Sequence, residues 1–216
     1  MNFAVKNLSI LLLIVVTGCA SPVTRDQITP EFYSIGDKNI SLAVIDKRPY
    51  VLTGDKSEKF EGLVRGAFGI PMTLDRPERP KEERFVDFLS NIIKEGFNDS
   101  GIEVNIIKVD KGTSVNDAID QMADPRFNKA IIASVYESKW DAGGFKFRYQ
   151  YDFDIYIADI HGKVIDHERF SGSQANKPSE SHNLWDMHTI IYRGNLETMF
   201  KSPAIKNALL NSGPRP

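Results

Sequence analysis

The clearest pattern in the chain is a strict alternation of apolar and polar positions between residues 145 and 157. The apolar positions are Phe145, Phe147, Tyr149, Tyr151, Phe153, Ile155 and Ile157. Because successive side chains of a strand point to opposite faces, this spacing predicts a long strand with one buried and one polar face. At about 3.3 Å per residue the strand is about 40 Å long, so we expect it to contain a bend or a bulge.

Four further segments have the composition of strands, namely residues 39–46, 102–109, 129–140 and 163–171. The first is apolar at nearly every position, which is typical of a strand buried on both faces, and Arg48-Pro49 ends it. The last follows a turn at His161-Gly162 and is expected to pair back onto the aromatic strand as a hairpin.

Helical spacing of apolar residues is clearest between Lys81 and Asp99. One face carries Phe85, Phe88, Leu89, Ile92, Ile93 and Phe97. Pro80 precedes this helix and Gly101 follows it, as is common at helix ends. A weaker helix is predicted over residues 113–122, and two more are predicted over 183–200 and 203–210.

The order of these elements predicts an α/β (α+β) fold with a mixed sheet of about five strands. Strand–helix–strand units come first and an antiparallel meander follows, so we expect the helices mainly on one face. Residues 50–80 contain seven glycines and prolines, which predicts a long Gly/Pro-rich loop after the first strand. A single domain over residues 39–212 accounts for all of these elements.

The first nineteen residues have the composition of an export signal. Lys6 precedes an apolar stretch from Leu8 to Val16, and Thr17-Gly18-Cys19 follows. A basic start, a short apolar stretch and small residues at a cleavage point are typical of exported proteins. The stretch is shorter than the roughly 20 apolar residues of a membrane-spanning helix.

The segment Val16-Thr17-Gly18-Cys19 resembles the bacterial lipobox. This resemblance implies that Cys19 is acylated and that residues 1–18 are a signal peptide. Residues 19–38, with Pro22, Pro30 and Gly36, are expected to be the lipidated cysteine and a tether to the domain. In the alternative, the tether is shorter because Ile28, Phe32, Tyr33 and Ile35 dock on the domain. Two or three acyl chains hold a protein firmly, whereas one chain does not. Ala20 stands where Asp would favour the inner membrane, which implies an outer-membrane lipoprotein facing the periplasm. The alternative is an ordinary signal peptide with an incidental cysteine.

Composition narrows the chemistry of the folded part. A formal net charge of -2 gives no basis for nucleic-acid binding, and one cysteine rules out an intrachain disulfide or a multi-cysteine zinc site. The nearest approach to a metal or acid–base cluster is Asp152, Asp154 and Asp159 with His161 and His167. Their spacing matches no ligand motif, so we predict no metal and no cofactor. No GxSxG motif occurs, so the sequence does not indicate a serine hydrolase. Hydrolysis by two carboxylates that only the fold brings together is left as an alternative.

Three segments resemble small bacterial lipoproteins of the YajG-like group. They are Ala43–Pro49, Glu61–Pro71 and Asn195–Leu209. That group is similar in architecture to the amino-terminal domain of TolB and to the lipoprotein auxiliary subunits of some ABC transport systems. The resemblance implies an α/β domain that faces the periplasm and has no enzymatic activity.

A candidate ligand or partner loop surrounds Arg65, which is flanked by Gly62, Gly66 and Gly69. Glycines let backbone N–H groups converge on an anion, and the guanidinium of Arg65 suits a phosphate such as a lipid headgroup. In the alternative, the glycines serve turn geometry and the core is covered by Leu63, Val64, Phe68 and Ile70.

A second candidate is the pair of Asp46 and Arg48 at the end of the first strand. These residues are either a ligand-binding pair or a local hydrogen-bonded pair that fixes the loop after the strand.

These observations predict a lipid-anchored envelope protein with a non-enzymatic binding or assembly role through a protein partner or lipid. The loop from Tyr50 to Pro80 and the polar face of the aromatic strand are the expected contact surfaces. The alternative is a lipid- or small-molecule-binding auxiliary lipoprotein of an ABC-type transport system. A deep pocket with convergent carboxylates would instead indicate an enzyme.

Overall fold

The computed structural model describes residues 24–73, 83–124, 126–143, 146–176 and 184–210. In this part of the chain the strands are β1 (Asn39–Asp46), β2 (Gly62–Arg65), β3 (Pro71–Thr73), β4 (Glu103–Ile106), β5 (Lys129–Gly143), β6 (Lys146–Asp159) and β7 (Val164–Asn176). The helices are α1 (Arg25–Ile28), α2 (Pro49–Leu52), α3 (Phe85–Asp99), α4 (Val115–Gln121), α5 (Leu184–Phe200) and α6 (Pro203–Leu210). The predicted mixed α/β fold is confirmed.

Strand β5 is the centre of the sheet. One of its edges pairs with β6, and β6 pairs with β7, both in antiparallel fashion. The other edge pairs in parallel with β1 along residues 129–135 and then with β2 along residues 140–143. Strand β4 extends the sheet beyond β1, and β3 extends it beyond β2. The chain therefore leaves the edge of β5 after Asp46 and returns to the same edge at Gly62.

The strands beside β6 each contain one extra residue. The register between β5 and β6 shifts between Val135 and Glu137, so Tyr136 forms a bulge where the parallel partner of β5 changes. A second shift separates Ile157 from Ala158 in the pairing of β6 with β7. The bend or bulge was expected within the aromatic strand, whereas the extra residues lie in its two neighbours and β6 is continuous over Lys146–Asp159.

The two faces of the sheet are covered unequally. Helices α3, α5 and α6 pack on one face over a core that includes Phe97, Phe153 and Phe200. Helix α4 packs on the opposite face, over Ala43 and Ile132. Most described helices therefore lie on one side, as predicted. The rest of the second face, here called the open face, carries the side chains of Tyr136, Asp152, Asp154, Tyr156, His167 and Arg169.

The described residues form a seven-stranded sheet, with two strands more than the sequence predicted. Both additional strands, β2 and β3, lie within residues 50–80, which were expected to form a loop. They contain only 4 and 3 residues, too few to show a period. Helix α2 also lies in this segment and begins at Pro49, whose fixed φ angle suits the first helical position. Residues 74–80 are outside the described residues.

Residues 29–35 pack onto the domain ahead of β1. Phe32 and Ile35 are buried, and the Phe32 ring centroid lies 4.5 Å from that of Phe97. The hydroxyl of Tyr33 donates a hydrogen bond to the carbonyl oxygen of Phe200. The expected signal peptide (1–18), Cys19 and residues 20–23 lie outside the described residues. Among the described helices, none combines the length and apolar character that crossing a bilayer requires.

Gly96 and Gly194 provide a matched test of how residues 29–35 pack. Both lie inside helices, but a Cβ on Gly96 would lie 2.6 Å from the Pro30 carbonyl oxygen, whereas one on Gly194 would meet nothing within 4 Å. We expect Gly96→Ala to lower the free energy of unfolding by about 1–3 kcal/mol through overpacking. Gly194→Ala should raise it by about 0.5–1 kcal/mol. Urea unfolding measures both values, and stabilisation by Gly96→Ala would contradict the packing.

Candidate functional site

The pair of Asp46 and Arg48 is fully buried at the end of β1, where the chain leaves the edge of β5. Arg48 Nε donates to Asp46 Oδ1 at 2.9 Å, and Nη2 donates to Oδ2 at 2.6 Å. The residues are 0% and 1% exposed, so neither presents a surface to a ligand. The structure has the local hydrogen-bonded pair, which was the second of the two predicted arrangements.

The remaining donors of Arg48 tie the following loop to the core. Nη1 donates to the carbonyl oxygen of Phe60 at 2.5 Å, and Nη2 also reaches that of Glu58 at 3.3 Å. The guanidinium carbon lies 4.6 Å from the ring centroid of Phe85, the first residue of α3. Burial alone would lower the pKa of Arg48, but the hydrogen bonds and charge of Asp46 raise it. Arg48 is therefore charged, and it joins β1, residues 58–60 and α3.

A second buried contact fixes the start of β2. The carboxylate of Glu61 is buried and accepts a hydrogen bond from the Tyr192 hydroxyl of α5 at 3.2 Å. Gly62 follows, and a Cβ there would lie 2.2 Å from the carbonyl oxygen of Trp140. Only glycine allows this close approach of β2 to β5.

The candidate loop around Arg65 is a β-hairpin formed by β2 and β3. The backbone N–H of Gly66 donates to the Ile70 carbonyl oxygen at 3.0 Å, and Gly69 has a φ angle of +74°. These two glycines therefore shape a turn. The structure brings Gly62, Arg65, Gly66 and Gly69 together in this hairpin, whereas Asp46 and Arg48 form a separate buried group.

Arg65 is already paired within the sheet. Its Nε donates to Asp141 Oδ1 at 2.8 Å and its Nη2 donates to Oδ2 at 2.5 Å. The hydrogen bonds and charge of Arg65 hold the pKa of Asp141 below its usual range, with smaller effects from Lys139 and Arg148. An anion at Arg65 would have to compete with this bidentate pair.

The tip of the hairpin is apolar and exposed, so the alternative in which Phe68 and Ile70 cover the core is wrong for these two residues. Phe68, Ile70 and Met72 are 101%, 61% and 53% exposed. Phe68 also has a φ angle of +63°, a left-handed conformation that costs a residue with a Cβ about 1–2 kcal/mol. The sequence led us to expect a contact surface within residues 50–80, but it did not identify these apolar side chains as part of that surface.

An open cleft of about 440 Å³ lies beside the hairpin. Arg65, Asp141 and Arg148 line it together with backbone of Gly66 and Gly69. Its volume is within the range of small-molecule sites, but its charged lining includes the Arg65–Asp141 pair described above.

The open face carries a fixed arginine cluster. Arg169 Nε and Nη2 donate to the two carboxylate oxygens of Asp152 at 2.8 and 2.7 Å. The guanidinium carbon lies 4.7 Å from the ring centroid of Tyr136, the bulged residue of β5. The bulge and the cross-strand pairing therefore present Tyr136 and Arg169 side by side at the surface.

A stacked aromatic pair lies next to this cluster. The rings of Tyr156 and His167 are 5.0 Å apart and inclined by 11°. Asp154 accepts a hydrogen bond from the Tyr156 hydroxyl at 2.7 Å and lies 3.3 Å from His167 Nδ1. Burial, together with the bond to Asp154, raises the pKa of Tyr156 to about 12. Tyr156 therefore stays neutral and acts here as a hydrogen-bond donor.

The aspartate and histidine cluster considered in the sequence is divided in the fold. Asp152 binds Arg169, whereas Asp154 contacts His167. The Asp159 carboxylate accepts the backbone N–H groups of His161 and Lys163, which fixes the turn between β6 and β7. Within the described residues, no three His, Cys, Asp or Glu side chains are grouped so as to hold a metal ion.

Substitution of Arg48 tests its role in tying the loop to the core. Arg48→Met leaves the carboxylate of Asp46 buried without its partner, so we expect the free energy of unfolding to fall by about 3–5 kcal/mol. The double variant Asp46→Leu/Arg48→Met should lose less, because no buried charge remains. Urea unfolding followed by circular dichroism measures both values.

Arg65→Met is the control, because it breaks an exposed bidentate pair of the same kind. Exposed pairs contribute little, so its unfolding midpoint should stay close to that of the native chain. Equal effects of Arg48→Met and Arg65→Met would contradict the role assigned to Arg48.

Comparison with known proteins finds similarity only among solved structures. No protein-family model and no curated protein sequence matches the chain. A Xanthomonas campestris protein described as family DUF330 has 12% identity and a TM-score of 0.45, over 80% of this chain and 91% of that one. A minor lipoprotein from Acinetobacter baumannii has 11% identity and a TM-score of 0.32, over 86% and 100% of the two chains.

Lipoprotein GNA1162 from Neisseria meningitidis has 10% identity and a TM-score of 0.34, over 76% of this chain and 99% of that one. All three TM-scores are below 0.5. A likeness at this level assigns the chain neither a family nor a function.

Proposed function

We propose that this chain is a lipid-anchored envelope protein with a non-enzymatic binding or assembly role at the outer membrane. In this proposal a protein partner binds the open face. The observation that carries it is the fixed surface cluster of Tyr136, Asp152 and Arg169 beside the Tyr156–His167 stack. No helix covers this cluster in the described part of the chain.

The cluster has the side-chain chemistry of a protein interface. Tyrosine and arginine are among the residue types that are enriched where single side chains dominate binding. Arg169 is held in one geometry by Asp152 and by the Tyr136 ring, so little side-chain freedom is lost when a partner binds. The surface is polar and charged, which favours a partner with complementary charge.

The position of the protein in the cell is proposed from its first twenty residues. The apolar stretch followed by Thr17-Gly18-Cys19 supports acylation of Cys19, and Ala20 supports an outer-membrane location facing the periplasm. Acyl chains would keep the open face within reach of partners in the periplasm.

The cleft of about 440 Å³ beside the hairpin favours a second candidate function. A lipid- or small-molecule-binding auxiliary subunit of an ABC-type transport system would use such a cleft. This candidate ranks second, because Arg65 and Asp141 at the cleft already bind each other.

The anchor is tested by Cys19→Ala in cells. We expect the substituted protein to accumulate as an uncut precursor without acyl chains, since the thiol is the site of both reactions in the lipobox resemblance. The mass of the purified protein shows both whether the signal peptide has been removed and whether acyl chains have been added. A product that is still cut and still acylated would show that the anchor lies elsewhere.

The partner surface is tested by in-cell crosslinking from a photoreactive residue placed at Ser171, an exposed position beside Asp152. Arg169→Ala should reduce the crosslinked product on the order of tenfold if Arg169 dominates the interface. Arg126→Ala is the matched control, because Arg126 makes a similar exposed pair with Asp124, outside the open face.

Loss of the crosslinked product in Arg169→Ala and its retention in Arg126→Ala would support the proposal. Equal product in the native chain and in both variants would overturn it. Circular dichroism of each variant shows whether the fold is retained, which is expected because both arginines are exposed.

A further inference from the structure

The exposed apolar surface of the described residues is concentrated in the hairpin of β2 and β3. The large exposed apolar side chains are Leu52, Phe68, Ile70, Met72, Ile160, Ile165 and Leu210. The three most exposed of them, Phe68, Ile70 and Met72, lie within five consecutive residues. An apolar group of this kind marks a surface that meets a protein or a lipid.

The backbone presents Phe68 outward at a conformational cost. This residue adopts a left-handed conformation at the turn, and its side chain is fully exposed. No contact on the domain compensates for that conformation in the described residues. Strained residues of this kind are retained at functional sites more often than elsewhere.

The charged side chains described around the hairpin are mainly basic. Among the described side chains, the hairpin and the ends of β5 and β6 that face it carry Arg65, Lys139 and Arg148, against Asp141. The whole chain has a net charge of -2, so this end is basic on an acidic protein. An apolar tip with a basic surround is the composition of segments that lie in the interface of an anionic membrane.

The chain between the anchor and the domain is short. Thr24, the first described residue, is five residues from Cys19, and five residues reach at most about 18 Å. Helix α1 then lies against α5. An anchor at Cys19 therefore keeps some surface of the domain close to the lipid.

We propose that the hairpin tip is a second membrane contact, in which Phe68, Ile70 and Met72 enter the interface of a bilayer with anionic headgroups. This inference rests on the proposed anchor at Cys19. The occupant is lipid rather than protein because the basic surround, the apolar tip and the short tether each favour it. The acyl chains hold the protein at the membrane, and the hairpin sets its orientation.

Orientation follows from the position of the hairpin on the sheet. It pairs with residues 140–143 of β5, whereas Ile160 follows β6 next to the opposite end of β5. At about 3.3 Å per residue, these two ends are about 40 Å apart. The hairpin end would face the lipid, the Ile160 end would face the periplasm, and the open face would stand between them, accessible to a partner.

The experiment compares a probe at the hairpin with a probe at the far end. Ile70→Cys and Ile160→Cys replace exposed isoleucines, and each introduces the one free thiol of an acylated chain, because Cys19 is the sole natural cysteine. The full acylated protein, labelled with an environment-sensitive fluorophore, is placed in vesicles of phosphatidylethanolamine and phosphatidylglycerol. Nitroxide-bearing lipids then quench only a probe that enters the bilayer.

We expect quenching at residue 70 and none at residue 160, with a smaller effect in vesicles of phosphatidylcholine alone. Phe68→Ser combined with Ile70→Cys should reduce the ratio of membrane-contacting to free hairpins on the order of tenfold, from the lost burial of one large apolar side chain. All substituted side chains are exposed, so the fold should be retained.

A probe at residue 70 that is not quenched by the nitroxide-bearing lipids would overturn the proposal. The hairpin tip would then be a surface for a protein partner. Equal quenching at residues 70 and 160, or equal quenching in neutral and anionic vesicles, would also overturn it. The acyl mass on Cys19 is measured first, so a failed anchor is recognised separately. Crosslinking at Ser171 reports on the open face independently of either result.

Discussion

The buried guanidinium of Arg48 is the interaction on which the rest of the structure depends. A charged group with 0% exposure costs several kcal/mol to remove from water unless its donors are satisfied. Here Asp46 and the carbonyl oxygens of Glu58 and Phe60 satisfy them, and the Phe85 ring packs against the guanidinium. Residues 47–61 follow a path that places both carbonyl groups in reach of Arg48, so the ion pair favours that path even where its net stabilisation is small.

The path of residues 47–61 influences where the two proposed functional surfaces lie. Because residues 47–61 are held against the core, β2 returns to the edge of β5 that β1 has left, and the bulge at Tyr136 fills the interval between them. The bulge places Tyr136 beside Arg169 on the open face. The same return directs the β2–β3 hairpin away from the core with its apolar tip exposed. The proposed partner surface and the proposed membrane contact therefore both follow from one buried ion pair.

Sequence patterns predicted those parts of the fold whose signal is local and repeated. The limits of β1 and of the final helix agree with prediction, and the alternation around Phe153 identified β6 with its buried and polar faces. Strands β2 and β3 were missed because three or four residues show no period. One of the two interpretations of the glycine-rich loop placed Phe68 and Ile70 on the core, because composition does not give the direction of a side chain in a turn. The Arg65–Asp141 and Arg169–Asp152 pairs join residues 76 and 17 positions apart, which no local pattern reveals.

Hydrogen–deuterium exchange of the native protein, read at single amides, tests most directly whether residues 47–61 belong to the core. The amides of Val51 and Phe60 bond within this segment, and that of Phe85 bonds to the Glu58 carbonyl oxygen. If Arg48 holds the segment, these three amides exchange about as slowly as those of β1, while the hairpin turn at residues 67–70 exchanges fast. If the amides of Val51, Phe60 and Phe85 exchanged as fast as the hairpin turn while those of β1 stayed protected, Arg48 would not hold residues 47–61 to the core.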